Sequence, residues 1–195
     1  MNISVQRSPA HWDTAYQHGQ QFRPVSDLEV YLFQTHVRTK PGVRVADIGC
    51  GTGPWTRTLA GMGMDVIGFD FSEVAIAKAR TESEGKDNPR YSVWDANSDA
   101  VPANLAPRSF DIVTCRLSIA FFDRARFLTD VARWLTKDGV VHIVTPVHEK
   151  LAATEPHRGL NEQDIKLLGS GWQHVFTYNV VSDGSIRAVL LQHRV

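Results

Sequence analysis

The sequence predicts an α/β fold: one doubly wound, mostly parallel sheet of seven strands with helices on both faces. Three observations carry that prediction. Short apolar runs suited to buried strands recur from Arg44 onward and alternate with helical stretches. The first of them, Val45-Ala46-Asp47-Ile48, breaks into glycines on alternate positions, Gly49, Gly51 and Gly53, and Pro54 then opens a helix. Strand, glycine turn and helix together mark a crevice at the carboxyl end of a parallel strand. The last two strand-like segments are joined by Ser182-Asp183-Gly184-Ser185, a hairpin signal that makes the final strand antiparallel. A chain of 195 residues suits a single domain, with N-terminal helices over 1–39, the sheet and its helices over 40–195, and no inserted cap domain.

Taken in order, residues 1–9 read as a loose arm, and Ala10–His18 as a short helix with Trp12 and Tyr16 four apart on one face. Gly19 and Pro24 end it. Ser26-Asp27-Leu28-Glu29 fits a capping box, with the hydroxyl at the N-cap and the carboxylate three residues on. The helix that follows groups Leu28, Tyr31, Leu32 and Thr35 on one face, with Val30, Phe33 and Val37 beside it. Lys40-Pro41-Gly42 turns the chain into the first strand. A helix runs from Trp55 towards Gly61, and Asp65–Phe69 is the second strand. Ser72 caps a helix over Glu73–Ser83, and 82–89 is a polar surface connection. Tyr91–Trp94 is the third strand and Ser109–Cys115 the fourth. Asp123 is placed to cap a helix whose apolar stripe is Phe127, Leu128, Val131 and Leu135, with Lys137-Asp138-Gly139 as its C-cap. Val140–Thr145 is the fifth strand, Pro146–Gly159 a polar loop and Leu160–Leu168 a short helix. Trp172–Val181 and Ile186–Val195 are the sixth and seventh strands.

The glycine turn discriminates between ligands. A dinucleotide fingerprint needs G-x-G-x-x-G, but the sixth residue from Gly49 is Pro54 and from Gly51 is Thr56. Asp47 instead stands two residues before the first glycine. A carboxylate aimed into such a loop repels a pyrophosphate and suits a ligand carrying an ammonium group. In this respect Val45–Gly53 resembles the first motif of the class I S-adenosylmethionine-dependent methyltransferases, whose Rossmann-like core has seven strands and a reversed terminal strand. The resemblance covers residues 40–195 and is most specific in three motifs.

It implies S-adenosylmethionine as the methyl donor and a set of residues that bind it. Asp47, Gly49 and Gly51 belong to the glycine loop. Asp70, at the end of the second strand, suits the ribose hydroxyls, a geometry shared with dinucleotide sites. Phe71 matches the position packing beside the adenine or ribose. Asp95 and Ala96 match the third motif, where an acid receives the adenine amino group and the next amide faces a ring nitrogen; a buried base needs that polar edge satisfied. Trp94 forms an adenine wall or a core residue. Arg116, Leu117 and Ser118 lie where backbone carbonyls meet the donor's amino group. The W-D-x-x-Y pattern resembles the N-terminal helix that covers the donor in small methyltransferases, which brings Tyr16 to the donor and Trp12 to the acceptor.

The donor's sulfonium already activates its methyl group, so the protein's main task is to align nucleophile, methyl and sulfur; positioning contributes about 7–11 kcal/mol in favourable cases. A general base adds about 10²–10⁴-fold where the nucleophile carries a proton. His148, after the fifth strand and beside Glu149, is the candidate, with His11 as a second; each also reads as a solvated residue. Phe33, Trp55, Phe121 and Phe122 fit an apolar acceptor pocket, although core packing explains aromatics at helical spacing equally well. Cys50 and Cys115 lie on neighbouring strands of the family's sheet, and their approach would make the enzyme sensitive to oxidation; two small buried residues is the simpler account. No metal-ligand pattern is present.

Equal counts of Lys plus Arg and Asp plus Glu, 21 each, give no basic footprint for nucleic acid. No apolar run reaches membrane-spanning length, no secretory h-region opens the chain, and two cysteines make no disulfide framework. The expectation is a cytoplasmic enzyme, monomeric or homodimeric, methylating an oxygen or nitrogen of a small-molecule acceptor. The alternatives are a thiol, halide or chalcogen methyltransferase and a non-catalytic S-adenosylmethionine-binding protein.

Overall fold

The seven apolar runs form one sheet in the computed structural model, which describes residues 9–20, 22–152 and 158–195. Most of the expected N-terminal arm and residues 153–157 of the Pro146–Gly159 loop lie outside the described residues. The strands are β1 (Arg44–Ile48), β2 (Asp65–Asp70), β3 (Arg90–Val93), β4 (Phe110–Arg116), β5 (Leu135–Pro146), β6 (Trp172–Asn179) and β7 (Ile186–Arg194). Their order across the sheet is β3-β2-β1-β4-β5-β7-β6, and β7 alone runs against the others, as the Asp-Gly hairpin predicted. The order reverses between β1 and β4. Connections leave those two strands in opposite directions, so their carboxyl ends part and leave a crevice.

Strand alternation divides the core between the two faces. Ala46, Ile48, Val113, Cys115, Val141 and Ile143 pack beneath α5 (Arg124–Trp134) and α6 (Glu162–Leu168). Val45, Ile112 and Val140 face the other way, towards Phe33 of α2 (Asp27–His36) and Trp55 and Leu59 of α3 (Pro54–Gly61). On that second side His142 is fully buried. Its Nδ1 lies 3.3 Å from Thr114 Oγ1 and its Nε2 3.0 Å from Tyr178 Oη, and burial pushes its pKa down to about 3. The ring is therefore a neutral strut between β4, β5 and β6.

The caps follow the sequence, since Ser26, Ser72 and Asp123 each accept an amide hydrogen bond at a helix start. Two readings need correction. In α2 the buried stripe is Glu29, Phe33 and Val37, whereas Leu28 and Tyr31 point to solvent. Glu29 does not close the capping box; it is 2% exposed and turned inward to an arginine. The α5 helix stops at Trp134 and β5 begins at Leu135. Between the pairs Phe110↔Leu135 and Ile112↔Val140 the register shifts, so Lys137-Asp138-Gly139 belongs to a strand irregularity and not to a C-cap.

Candidate active site

The crevice is built first by the glycine loop. Gly49, Gly51 and Gly53 all have positive φ, which side chains resist, and the Gly49 and Cys50 amides both donate to the Phe69 carbonyl, at 2.8 and 3.0 Å. A Cβ on Gly49 would collide with the Ser118 side chain, itself fixed by a hydrogen bond from its Oγ to the Ile48 carbonyl. The loop thus holds the ends of β1, β2 and β4 close together. Asp70 closes the arrangement, its carboxylate accepting from the Gly51 amide at 2.9 Å and the Ser72 amide at 3.0 Å. Burial outweighs those two donors and pushes its carboxyl up to about 6.

Above the loop lies a cavity of about 430 Å³, a size suited to a small ligand. Asp70, Phe71, Gly49 and Gly51 form its floor, and Arg116, Leu117 and Ser118 one side. Its roof is aromatic. Trp12 and Tyr16 of α1 (Pro9–Gln17) meet Phe22 and Phe121, with Trp12 5.0 Å from Phe22 and 5.3 Å edge-on to Phe121 between ring centroids. Phe122 completes the wall. The α1 helix is tied down by Ser72 Oγ donating to the Asp13 carboxylate and by Lys78 Nζ donating to the Tyr16 carbonyl. Burial pushes the Tyr16 phenol far above its ordinary value, so it stays neutral.

Arg116 shapes the mouth. Its Nε and Nη2 donate to both Glu29 carboxylate oxygens, at 2.7 and 3.0 Å, and the same guanidinium donates to the carbonyls of Arg23 and Pro24. It thereby straps the segment between α1 and α2 over the end of β4. Next to it Leu117 takes a φ of 62°, a left-handed conformation costing about 1–3 kcal/mol outside glycine, and its amide donates to the Val144 carbonyl.

The pattern of the family described as "Methyltransferase domain" matches residues 45–139, from β1 through the glycine loop into β5. Residues 45–139 thus carry a methyltransferase domain of the S-adenosylmethionine-dependent kind. Similar proteins include a probable S-adenosylmethionine-dependent methyltransferase of Mycobacterium tuberculosis, 32% identical over 136 residues, which are 66% of this chain and 47% of that one. Nocamycin O-methyltransferase of Saccharothrix syringae is 33% identical over 132 residues, 65% of this chain and 44% of its own. The chain thus spans under half the length of these curated relatives. Among solved structures, a TehB-like methyltransferase from Corynebacterium glutamicum shares the fold with a TM-score of 0.66 at 19% identity, covering 96% of this chain and all of that one.

Several residues expected of a methyltransferase site stand elsewhere. Asp47 is 1% exposed behind the loop: its odd position on β1 turns it to α3, where Thr56 Oγ1 donates to it at 2.7 Å. Burial pushes its carboxyl up to about 7, against that hydrogen bond and the nearby Arg116 charge. Asp95 and Ala96 do not line the cavity. The Asp95 carboxylate is used within its own turn, accepting from the Asn97 amide and the Ser98 hydroxyl, each at 2.8 Å. Trp94 is a core residue between Phe69 and Trp134. Phe33 is wholly buried, edge-on to Trp55 and His142, and forms no acceptor wall; Trp55 is buried with it.

His148 is exposed on a turn and does not line the cavity, because Val147 and Leu160 pin the chain there and the side chain faces outward. His11 is exposed beside Trp12 and likewise off the wall. Cys50 packs against β3 and α4 (Glu73–Thr81) in one cluster, and Cys115 meets Ser118 in another, so the thiols do not converge. Burial raises both, Cys115 to about 12, and leaves them unreactive. Sequence reasoning missed Phe22, Arg23, Glu29 and Arg158. Phe22, Arg23 and Arg158 lie in irregular segments that carry no periodic signal, and an acid on a helix reads as a surface residue. Among the described residues no cluster could hold a metal ion, and no helix is long and apolar enough to cross a membrane.

Proposed function

We propose that the protein transfers the methyl group of S-adenosylmethionine to an oxygen or nitrogen of a small-molecule acceptor by in-line displacement. The observation that supports this reading best is the Asp70 carboxylate, oriented by the Gly51 amide, on the floor of an aromatic-roofed cavity at the topological switch point. In this reading Asp70 accepts from the ribose hydroxyls and Phe71 packs beside the sugar and base. The carbonyls around Arg116 and Leu117 meet the donor's ammonium group. Asp47 acts through the loop, adding negative potential from behind it. Trp12, Tyr16 and Phe121 offer ring faces to the sulfonium, an attraction worth about 0.5–2 kcal/mol that fades when the methyl leaves and the sulfur becomes neutral. Product release then follows from lost charge.

No histidine lines the cavity among the described residues, and its tyrosine is held neutral. Catalysis accordingly rests on alignment and exclusion of water by α1 and residues 22–25, which suits nucleophiles that are already deprotonated or carry a lone pair. The buried thiols fit a reducing cytoplasmic setting and a monomer or homodimer that needs no disulfide. Labelled S-adenosylmethionine offered with phenols, amines, thiols, tellurite and iodide tests the reading. Transfer to a phenol or amine, lost in Asp70→Ala, is the expected result. Transfer only to thiol, tellurite or iodide would move the activity to the chalcogen and halide class. Donor binding without transfer to any acceptor would make the protein a sensor.

A further inference from the structure

The floor of the cavity depends on a loop with three residues at positive φ, Gly49, Gly51 and Gly53, and glycines give up much conformational freedom when they order. The first half of the loop is seated inside the fold. The Gly49 and Cys50 amides share the Phe69 carbonyl, and Cys50 packs with Ile76 and Ala79 of α4 and Tyr91 of β3. Gly68 of β2 makes the room, since a Cβ there would lie 2.9 Å from both the Cys50 sulfur and the Tyr91 ring.

The second half is held from the side by Arg57, in the first turns of α3. Its Nη1 donates to the Thr52 carbonyl at 2.6 Å, and its Nη2 donates to the carboxylate of Glu82, the residue that ends α4. Thr52 and Arg57 both line the cavity. Tyr91 stands under the same half of the loop. A Cβ on Gly53 would lie 2.5 Å from the Tyr91 Oη, and that hydroxyl is 3.2 Å from Ser83 Oγ. Burial raises the Tyr91 phenol, against the Ser83 hydrogen bond and the Arg57 charge, so the ring stays neutral there. Thr52 follows directly on Gly51, whose amide orients Asp70. Fixing the Thr52 carbonyl therefore limits how far Gly51 can turn.

We infer that Arg57 is a positioning residue for the donor: by holding Thr52 it keeps the Gly51 amide on Asp70 and the loop in the shape that receives S-adenosylmethionine. The inference rests on the methyltransferase reading and deepens it. The Arg57 and Glu82 side chains are 24% and 50% exposed, and an ion pair so open to water adds little to folding. The effect of Arg57 accordingly falls on ligand affinity, where a small misplacement of the floor is costly. A guanidinium fork meets the Thr52 carbonyl and the Glu82 carboxylate at once. A lysine ammonium on its flexible stem can still donate to the carbonyl.

The test compares the full chain with Arg57→Ala, Arg57→Lys and Glu82→Gln. Amide exchange is read without ligand at Gly51 and Gly53, and affinity for S-adenosylhomocysteine is read by calorimetry. In Arg57→Ala the two amides should exchange at least fivefold faster and the affinity fall at least tenfold, while the amides of β4 and β5 keep their rates. Arg57→Lys should restore the affinity to within threefold of wild type. Glu82→Gln, which leaves the Thr52 contact in place, should also stay within threefold. An Arg57→Ala variant that binds as wild type does would overturn the inference. So would equal losses in Arg57→Ala and Glu82→Gln, because the ion pair and not the hold on Thr52 would then carry the effect. Faster exchange across β4 and β5 in Arg57→Ala, with no rescue by Arg57→Lys, would reduce the residue to a structural one and overturn it too. Failure of wild type to bind S-adenosylhomocysteine, with Gly51 still exchanging faster in Arg57→Ala, would overturn the methyltransferase reading and the donor assignment with it, while confirming the hold on the loop.

Discussion

Asp47 and Asp70 sit one behind and one on the floor of the cavity, and burial raises both carboxyls, to about 7 and about 6. Their folded values lie above the unfolded value of about 4, so the folded state binds these protons more tightly. That contribution to stability is present below pH 4 and is lost as pH rises through 6 and 7. His142 works the other way, held near 3 and therefore costing stability as pH falls below 6.5. Binding a cationic donor favours the ionised carboxylates, so affinity for S-adenosylmethionine should rise from pH 5 to pH 8, and Asp70→Asn should flatten the profile in calorimetric titrations. A pH-independent affinity in wild type would separate these acids from the ligand. The Glu29–Arg116 pair makes a second residue-scale prediction. Both side chains are almost wholly buried, at 2% and 7% exposure, and removing one partner strands the other's charge. Glu29→Ala should cost about 3–5 kcal/mol in urea unfolding; a change under about 1 kcal/mol would show that water reaches Arg116.

At the scale of elements, α1 is the part that covers the site with little core of its own. Its anchors are two polar contacts to α4 and the aromatic roof. Such an element opens easily, and a ligand beneath it adds contacts only in the closed state. Amide exchange over Ala15–Gln17 should slow at least fivefold with saturating S-adenosylhomocysteine, while the amides of β1 and β4 stay unchanged; uniform exchange with and without ligand would mean that α1 is no cover. The W-D-x-x-Y spacing made this helix legible in the sequence, because Trp12 and Tyr16 share a face. Helix α2 was legible in its limits but not in its orientation. Its buried stripe passes through Glu29, and a carboxylate enters a core only because Arg116 waits 87 residues further on. Asp95 stands off the cavity wall for a related reason: short polar residues two and three positions on, Asn97 and Ser98, donate to the carboxylate that the motif assigns to the adenine.

For the molecule as a whole, the seven strands, the reversed β7 and the crevice at the end of β1 were readable from periodicity, one Asp-Gly turn and the glycine loop. Each is a local signal with a single mechanical consequence. Half of the roof, Trp12, Tyr16 and Phe121, was readable; Phe22 and the mouth were not, since Phe22, Arg23 and Arg158 come from loops whose approach is fixed by Arg116 and by the passage of Gly159 against Pro146, contacts between segments far apart in the chain. The account therefore stands on the floor of the cavity. The most direct test is calorimetric titration of the protein and its Asp70→Ala variant with S-adenosylmethionine, S-adenosylhomocysteine and NADH. The account predicts micromolar binding of both methionine derivatives, weakened at least tenfold in the variant, and no binding of NADH. Binding of NADH with no response to either methionine derivative would contradict it.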